Sequence, residues 1–97
     1  MITKKQKMYL RSLSNRLAAT VQMGKDGMTD SVVHSLDEAL TASELVKVAL
    51  LQNCGLTVDE AAVELAAATR SQIVQKIGRR LVLFRPNPEK KVIKWPQ

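Results

Sequence analysis

The most suggestive chemistry in this sequence lies in the glycine-bounded segment Gly24-Lys25-Asp26-Gly27. Glycine lacks a Cβ, so the backbone N–H groups of such a segment can approach a phosphate closely. The segment precedes a predicted helix, whose N-terminus carries a partial positive charge, and Lys25 adds a full charge. Since GxxG is also common in ordinary turns, the pattern predicts either a phosphate-binding loop or a plain turn.

Three arginines near the end of the chain form a second candidate site for phosphate. Arg79 and Arg80 lie at the tip of a predicted hairpin, and Arg85 follows on the same strand. The planar guanidinium group can donate two parallel hydrogen bonds to a phosphate, whereas the ammonium group of lysine cannot. Because a hairpin tip must be polar in any case, an ordinary solvated turn is the alternative interpretation.

The third candidate site is one face of a predicted N-terminal helix. Lys4, Lys7 and Arg11 are spaced at i, i+3 and i+7, so they share a face, and Lys5 lies beside it. This face either binds an anionic partner or is an ordinary solvated helix surface.

Residue types that perform catalysis are few. His34 is the only histidine, Cys54 is the only cysteine, and the adjacent Asp37 and Glu38 must point to different faces of a helix. No P-loop, dinucleotide fingerprint or metal-ligand spacing occurs. The sequence therefore predicts a protein that is not an enzyme and that uses no cofactor and no metal.

Aromatic residues are also scarce, which limits how a phosphate-bearing ligand such as a nucleic acid could be bound. Tyr9 and Phe84 lie on apolar stripes and are expected in the core, while Trp95 either stacks on a base or pins the tail to the domain. A base-stacking platform needs several exposed aromatic rings. If the ligand is a nucleic acid, we therefore expect recognition of its backbone and shape.

The elements that must position these residues follow from hydrophobic periodicity and capping signals. The predicted order is helix 3–18, strand 20–23, helix 30–42, strand 44–51, helix 57–68, and a hairpin of two strands within 71–85. This order predicts a single α+β domain with a four-stranded mixed sheet covered by three helices, in which strand 44–51 is near the sheet centre. Neighbouring strands joined by a helix are expected to be parallel. Pro86 and Pro88 then predict a loosely held basic tail over 87–97.

The charges of this 97-residue chain are segregated along the sequence. Residues 1–28 carry a net charge of +5, residues 29–68 carry −6, and residues 69–97 carry +7. If folding brings the two basic ends together, the molecule has one strongly positive face, as expected of a protein that binds a polyanion. The alternative is that the cations only keep the protein soluble.

Length and composition argue against multidomain, disulfide-rich, secreted and membrane-spanning proteins. A chain of this size accommodates one domain, and the single cysteine excludes an internal disulfide framework. We find neither a signal peptide nor a segment long enough to span a bilayer. The sequence therefore predicts a cytoplasmic protein without a membrane partner.

Four blocks of the sequence, TKKQKMYLRSL, VQMGKDGMT, LVKVALLQN and IVQKIGRRLVLFRP, together resemble the YhbY-type proteins, the bacterial stand-alone form of the CRM (chloroplast RNA splicing and ribosome maturation) domain. The resemblance covers residues 1–86 and leaves the tail outside. It implies an αβαβαββ fold similar to the C-terminal domain of translation initiation factor 3, with residues 24–27 as the exposed GxxG loop of the family. It also implies association with precursors of the large ribosomal subunit, as for bacterial members of the family, while plant relatives act in group II intron splicing.

Two hypotheses for the function of the protein are therefore favoured over an enzymatic function. The first is a monomeric RNA-binding protein that contacts ribosomal RNA in a pre-ribosomal particle through the three basic sites. The second is a protein-interaction module whose acidic second and third helices contact a basic partner such as a ribosomal protein. Charge reversal at Lys25, Arg79 and Arg80 should abolish RNA association under the first hypothesis, whereas charge reversal at Asp37, Glu38 and Glu64 should matter under the second.

Overall fold

A computed structural model describes residues 2–95 and has the predicted order of elements. These elements are α1 (Lys4–Ser14), β1 (Val21–Met23), α2 (Asp30–Ser43), β2 (Leu45–Leu50), α3 (Val58–Thr69), β3 (Gln72–Ile77) and β4 (Arg80–Phe84). The prediction of a small α+β domain with three helices and four strands is confirmed. Within the described range, no helix combines the length and apolar character that crossing a membrane requires.

Two of the three helices begin with a capping box, close to the predicted helix starts. The hydroxyls of Thr3 and Thr57 each accept a hydrogen bond from the backbone N–H three residues later. In turn, the side-chain oxygens of Gln6 and Glu60 accept a hydrogen bond from the backbone N–H of the capping threonine. The predicted end of α1 was wrong, because the helix stops at Ser14 and not near residue 18. Leu17 continues the helical spacing of apolar residues, but the chain must turn here so that Thr20 N–H can reach the carbonyl of Lys47 and begin β1.

The four strands form one mixed sheet in the order β1-β2-β4-β3. β1 pairs with β2 in parallel, as the intervening helix predicts, while β4 is antiparallel to both β2 and β3. β2 is therefore central, as predicted from its run of aliphatic residues.

The two faces of the sheet carry different helices. Leu81 and Leu83 of β4 pack with α2 and α3, whereas Val82 and Phe84 of the same strand pack with α1. This follows from the two-residue period of a strand, which sends successive side chains to opposite faces. Helix α1 is therefore separated from α2 and α3 by the whole thickness of the sheet.

Helix α1 covers only part of its face and leaves the rest open to solvent. Gln22, Ala49, Arg80 and Ile77 form one row across all four strands, at the end where β1 and β2 finish. Of these, Ile77 is 61% exposed although it is apolar. We call this region the open half-face, and its members are Gln22, Lys47, Ala49, Gln75, Ile77 and Arg80.

The tail was predicted to be loosely held, and for the described residues 87–95 this was wrong. The carboxylate of Glu44 accepts hydrogen bonds from the backbone N–H groups of Asn87 (2.7 Å), Val92 (2.6 Å) and Ile93 (2.9 Å). Trp95 packs against Phe84 with ring centroids 5.7 Å apart, in an edge-to-face arrangement. Of the two alternatives for Trp95, the structure therefore shows the one in which it pins the tail.

Glu44 itself is held in an unusual state. It is only 3% exposed. Its backbone has a positive φ of 64°, which residues other than glycine rarely adopt. Burial raises the pKa of this carboxyl, but the N–H bonds from Ile93, Asn87 and Val92 and the charge of Lys91 outweigh burial, so the net pKa is lowered. A buried carboxylate with these donors is a stable anchor for the tail.

Candidate nucleic-acid interface

The helices on the two faces of the sheet carry opposite charges. Helix α1 carries four cations and no acid, whereas α2 and α3 together carry six acids and no cation. Because α1 lies on one face of the sheet and the other two helices lie on the opposite face, the protein has a basic side and an acidic side. We use "basic side" below for α1 together with the open half-face.

The basic beginning and end of the chain meet, as the charge pattern required. Ile2 N–H donates to the side-chain oxygen of Gln72 (3.2 Å), and the Tyr9 hydroxyl donates to the carbonyl of Lys94 (2.6 Å). These contacts place the N-terminal helix between β3 and the tail. The expectation that the two basic ends lie side by side is therefore correct for α1 and the end of the tail, whereas Lys76 and Arg85 pair with acids of α3 and α2.

Helix α1 begins at the end of the sheet that is distant from the glycine-bounded turn, so its first predicted site residues lie far from that turn. Lys4 and Lys5 are exposed and Lys7 is half-buried. Further along the helix, Arg11 Nε–H donates to the carbonyl of Val74 (3.2 Å), beside an irregularity in the pairing of β3 with β4. This bond uses one of the five donors of the guanidinium and fixes Arg11 at the edge of the sheet.

The segment Gly24-Lys25-Asp26-Gly27 forms a tight turn at the end of β1. Gly27 N–H donates to the carbonyl of Gly24 (3.0 Å), and Gly27 has a φ of +63°, which explains why glycine is needed there. Lys25 and Asp26 are exposed, so the turn is at the surface, as expected. That the turn binds phosphate stays a prediction.

The hairpin tip places its two arginines in different environments. Arg79 donates from Nε to the carbonyl of Leu50 (3.2 Å) and from Nη2 to that of Leu51 (2.6 Å), so its guanidinium fastens the tip to the end of β2. Arg80 is exposed on the open half-face. Of the pair, Arg80 is the better placed to contact a ligand.

Arg85 does not join the other predicted site residues. Its guanidinium bonds Asp37 Oδ1 (2.6 Å), Thr41 Oγ1 (2.8 Å) and the carbonyl of Thr69 (2.9 Å), which ties β4 to α2 and α3 on the acidic side. Arg80 and Arg85 are an odd number of residues apart, so the alternation of the strand sends them to opposite faces. The sequence interpretation grouped them because both are arginines on one strand and did not apply this parity.

Lys47 is the main residue of the basic side that the sequence reasoning missed. It belongs by sequence to the acidic middle, but it lies on the α1 face of β2, opposite Val82 of β4. The alternation of apolar and polar residues in β2 could have shown that Lys47 and Ala49 share a face. Identifying that face as the one covered by α1 required the packing of the helix against Val82 and Phe84.

A small cavity of about 160 Å³ on the open half-face brings two cations and two amides together. It is lined by Lys47 and Arg80, by the amide side chains of Asn15 and Gln75, and by the apolar side chains Ile77 and Val82. In the part of the chain that the structure describes, no carboxylate lines this cavity. The ammonium, guanidinium and amide groups can donate hydrogen bonds to phosphate oxygens.

The residues considered for catalysis are not assembled into a site. His34 is exposed on α2 beside Glu38, and Cys54 is buried in the core, as expected for a small hydrophobic residue. Residues 2–95 contain no group of three His, Cys, Asp or Glu side chains that could hold a metal ion.

Comparison with known proteins identifies the family of this chain. The family model described as the CRS1 / YhbY (CRM) domain matches residues 2–85. The chain belongs to the CRM-domain family. The match covers all three helices and all four strands of this CRM-domain protein and ends where the tail begins.

Two relatives of this CRM-domain protein are similar to it over nearly their whole length. The "Probable RNA-binding protein YqeI" of Bacillus subtilis is 43% identical over 96 residues, which cover 99% of this chain and 100% of that protein. An "RNA-binding protein" of Haemophilus influenzae is 33% identical over 94% of this chain and 92% of its own. The solution structure of the hypothetical protein SAV1595 from Staphylococcus aureus superposes with a TM-score of 0.82 at 42% identity, covering 99% of this chain and 100% of that one.

Proposed function

We propose that this CRM-domain protein binds structured RNA through its basic side and acts on precursors of the large ribosomal subunit. Membership of the family and the names of the relatives support binding of RNA. The choice of large-subunit RNA rests on the resemblance to YhbY-type proteins. We further propose that it acts as a cytoplasmic monomer, because one copy already presents the complete basic side.

The observation that carries this proposal is the separation of charge across the sheet. Four cations on α1 and two on the open half-face, Lys47 and Arg80, occupy one side, and the acids of α2 and α3 occupy the other. Surface charges that only maintain solubility are expected to be interspersed. A polyanion is attracted to one side and repelled from the other, which also orients it on the surface.

The shape of the basic side favours an RNA backbone over a small anion. An eleven-residue helix is ~16 Å long and a six-residue strand spans ~20 Å, so the cations from Lys4 to Arg80 extend over several successive phosphates. The described aromatic rings, Tyr9, Phe84 and Trp95, pack against one another and do not form a stacking platform. Both features suit recognition of backbone and shape.

Crosslinking in cells, followed by sequencing of the bound RNA, tests the proposal. The wild-type protein is expected to recover precursor large-subunit RNA, and the double variant Lys47→Glu/Arg80→Glu is expected to lose it. The matched control is a charge reversal on the acidic side, Glu38→Lys/Glu64→Lys, which should leave recovery intact. Recovery of other RNA classes alone would remove the ribosomal part of the proposal, and loss of recovery only in the acidic-side control would favour the protein-interaction hypothesis.

A further inference from the structure

A second and larger concavity on the basic side is not used by the contacts described so far. It has a volume of about 530 Å³ and lies between the end of α1, the start of β2 and the tail. We call it the tail groove, and its defining residues are Leu13, Leu17, Leu45, Lys47, Val92 and Ile93.

The walls of the tail groove are apolar and partly open to water. Leu17 is 37% exposed and Val92 is 41% exposed, while Leu13 and Ile93 are half-buried. Exposed apolar side chains that converge in a concave site are typical of a ligand-binding surface, whereas scattered ones are not. The hydroxyl-bearing residues Thr20 and Ser43 also line the groove and could hydrogen-bond the edge of a bound group.

The charged residues that line the groove are all basic. They are Arg16 after α1, Lys47 on β2 and Lys94 in the tail, and no carboxylate lines the groove among residues 2–95. An occupant must therefore combine an apolar body with negative charge beside it. A nucleotide has this composition, since a flat base is attached to a charged phosphate.

The tail groove is continuous with the open half-face. Lys47 lines both the groove and the small cavity that contains Arg80, so one lysine lies at the border of the two. An RNA strand whose phosphates follow Arg80 and Lys47 therefore arrives at the mouth of the groove. This continuity favours RNA over a separate protein segment as the occupant.

The wall of the groove that the tail forms is held in place by hydrogen bonds. Glu44 accepts the N–H groups of Val92 and Ile93, and the Tyr9 hydroxyl bonds the carbonyl of Lys94. The positive φ of Glu44 has a conformational cost that persists only where the surrounding structure imposes it. A wall fixed from both sides can present Val92 and Ile93 in one arrangement before a ligand arrives, which lowers the entropic cost of binding.

We propose that the tail groove receives one unpaired nucleobase of the bound RNA, with the neighbouring phosphates at Lys47 and Arg16. This inference rests on the proposed function and adds to it a requirement for a bulged or otherwise unpaired nucleotide. An unpaired base is not held in a helical stack, so it can leave the RNA and exchange water for the apolar walls.

Two RNA hairpins that differ only by one bulged nucleotide test this inference. We expect the wild-type protein to bind the bulged hairpin about tenfold more tightly, given a contribution of this order for one accommodated base. Leu17→Gln and Val92→Gln should abolish this preference without changing the salt dependence, because neither substitution alters charge. Val63→Gln is the matched control, since Val63 is 63% exposed on α3, on the acidic side.

Fluorescence of 2-aminopurine placed at the bulge gives an independent readout. It should rise when the base leaves the RNA stack and enters the groove, and this rise should be absent in the Leu17→Gln variant. Equal affinity for both hairpins, or a preference that survives both groove substitutions, would overturn the inference while the proposed function stands. Failure of the wild-type protein to bind either hairpin would instead remove the proposed function, and the inference with it.

Discussion

Lys47 and Arg80 point to the same face of the sheet from neighbouring antiparallel strands, two residues out of direct register. Diagonal neighbours of this kind are ~7–8 Å apart at the backbone. The two positively charged side chains line the same cavity and repel each other, and a phosphate bound between them relieves the repulsion. The pair lines one cavity together with two amide side chains, although Lys47 comes from the acidic middle of the sequence.

Neutralising either cation should weaken RNA binding and reduce its dependence on salt. For the wild-type protein, six to eight phosphate contacts predict a log–log salt slope of roughly −4 to −7. Lys47→Gln and Arg80→Gln should each make this slope shallower by ~0.7–0.9, the contribution of one phosphate contact. Fluorescence anisotropy titrations at several salt concentrations measure it. Lys90→Gln is the control, because Lys90 lies in the tail beside α2, and a slope change as large as that of Lys47→Gln would contradict the proposed interface.

Lowering the pH should release the tail, because the Glu44 carboxylate that holds it becomes protonated. Its pKa in the folded protein is lowered from an ordinary value near 4.5, because the three backbone N–H bonds and Lys91 outweigh burial. The unfolded chain therefore binds this proton more readily, so the stabilisation is fully present above about pH 4.5 and is lost as the pH falls through the lowered folded value. Emission of the single tryptophan, Trp95, should report the release during an acid titration.

Glu44→Gln should reproduce this release at neutral pH. The free energy of unfolding of the wild-type protein should exceed that of the variant at pH 7, and the difference should shrink at low pH. Glu89→Gln, an exposed carboxylate of the same tail, is the matched control and should cause no such change. Equal unfolding free energies of wild type and Glu44→Gln at pH 7 would show that the tail is not anchored in this way.

Substitution of Arg85 should reduce stability more than it reduces RNA affinity. Arg85→Lys removes most of the bonds to Asp37, Thr41 and the carbonyl of Thr69, and the expected loss is ~1–3 kcal/mol in the free energy of unfolding. Lys76→Met is the control, because the exposed pair of Lys76 with Asp59 is expected to contribute ~0–1 kcal/mol. Denaturant unfolding and RNA titration of the same samples separate the two effects. A large loss of affinity in a folded Arg85→Lys protein would restore Arg85 to the interface.

Gly27→Ala should strain the turn that follows β1. The φ of +63° at Gly27 places a Cβ in the left-handed region, at a cost of ~1–2 kcal/mol in the free energy of unfolding. Gly55→Ala is the matched control, since its φ is not positive and no atom lies within 4 Å of the position that an alanine Cβ would take there. In thermal unfolding, Gly27→Ala should therefore have a lower Tm than Gly55→Ala. Equal stabilities of the two variants would show that the turn adapts without strain.

Local signals in the sequence were sufficient for most of the elements. The two capping boxes at Thr3 and Thr57 are decided within four residues, so their helices begin as predicted. The end of α1 could not be read in this way, because Leu17 satisfies helical spacing but is required where the chain turns toward β1. The tail was misjudged for a related reason, since its anchor, Glu44, is distant in sequence and is recognisable only from the folded contacts.

By itself, the sequence determined the order of helices and strands, the segregation of charge into blocks and the presence of a glycine-bounded turn after β1, because these depend on neighbouring residues. Only the tertiary structure decided which charges share a surface. The packing of α1 on the face that Lys47 shares with Val82 places Lys47 on the basic side and Arg85 on the acidic side, and α1 leaves part of that face uncovered. The physical reason is that a strand sends alternate side chains to opposite faces, and which face is basic depends on where α1 packs.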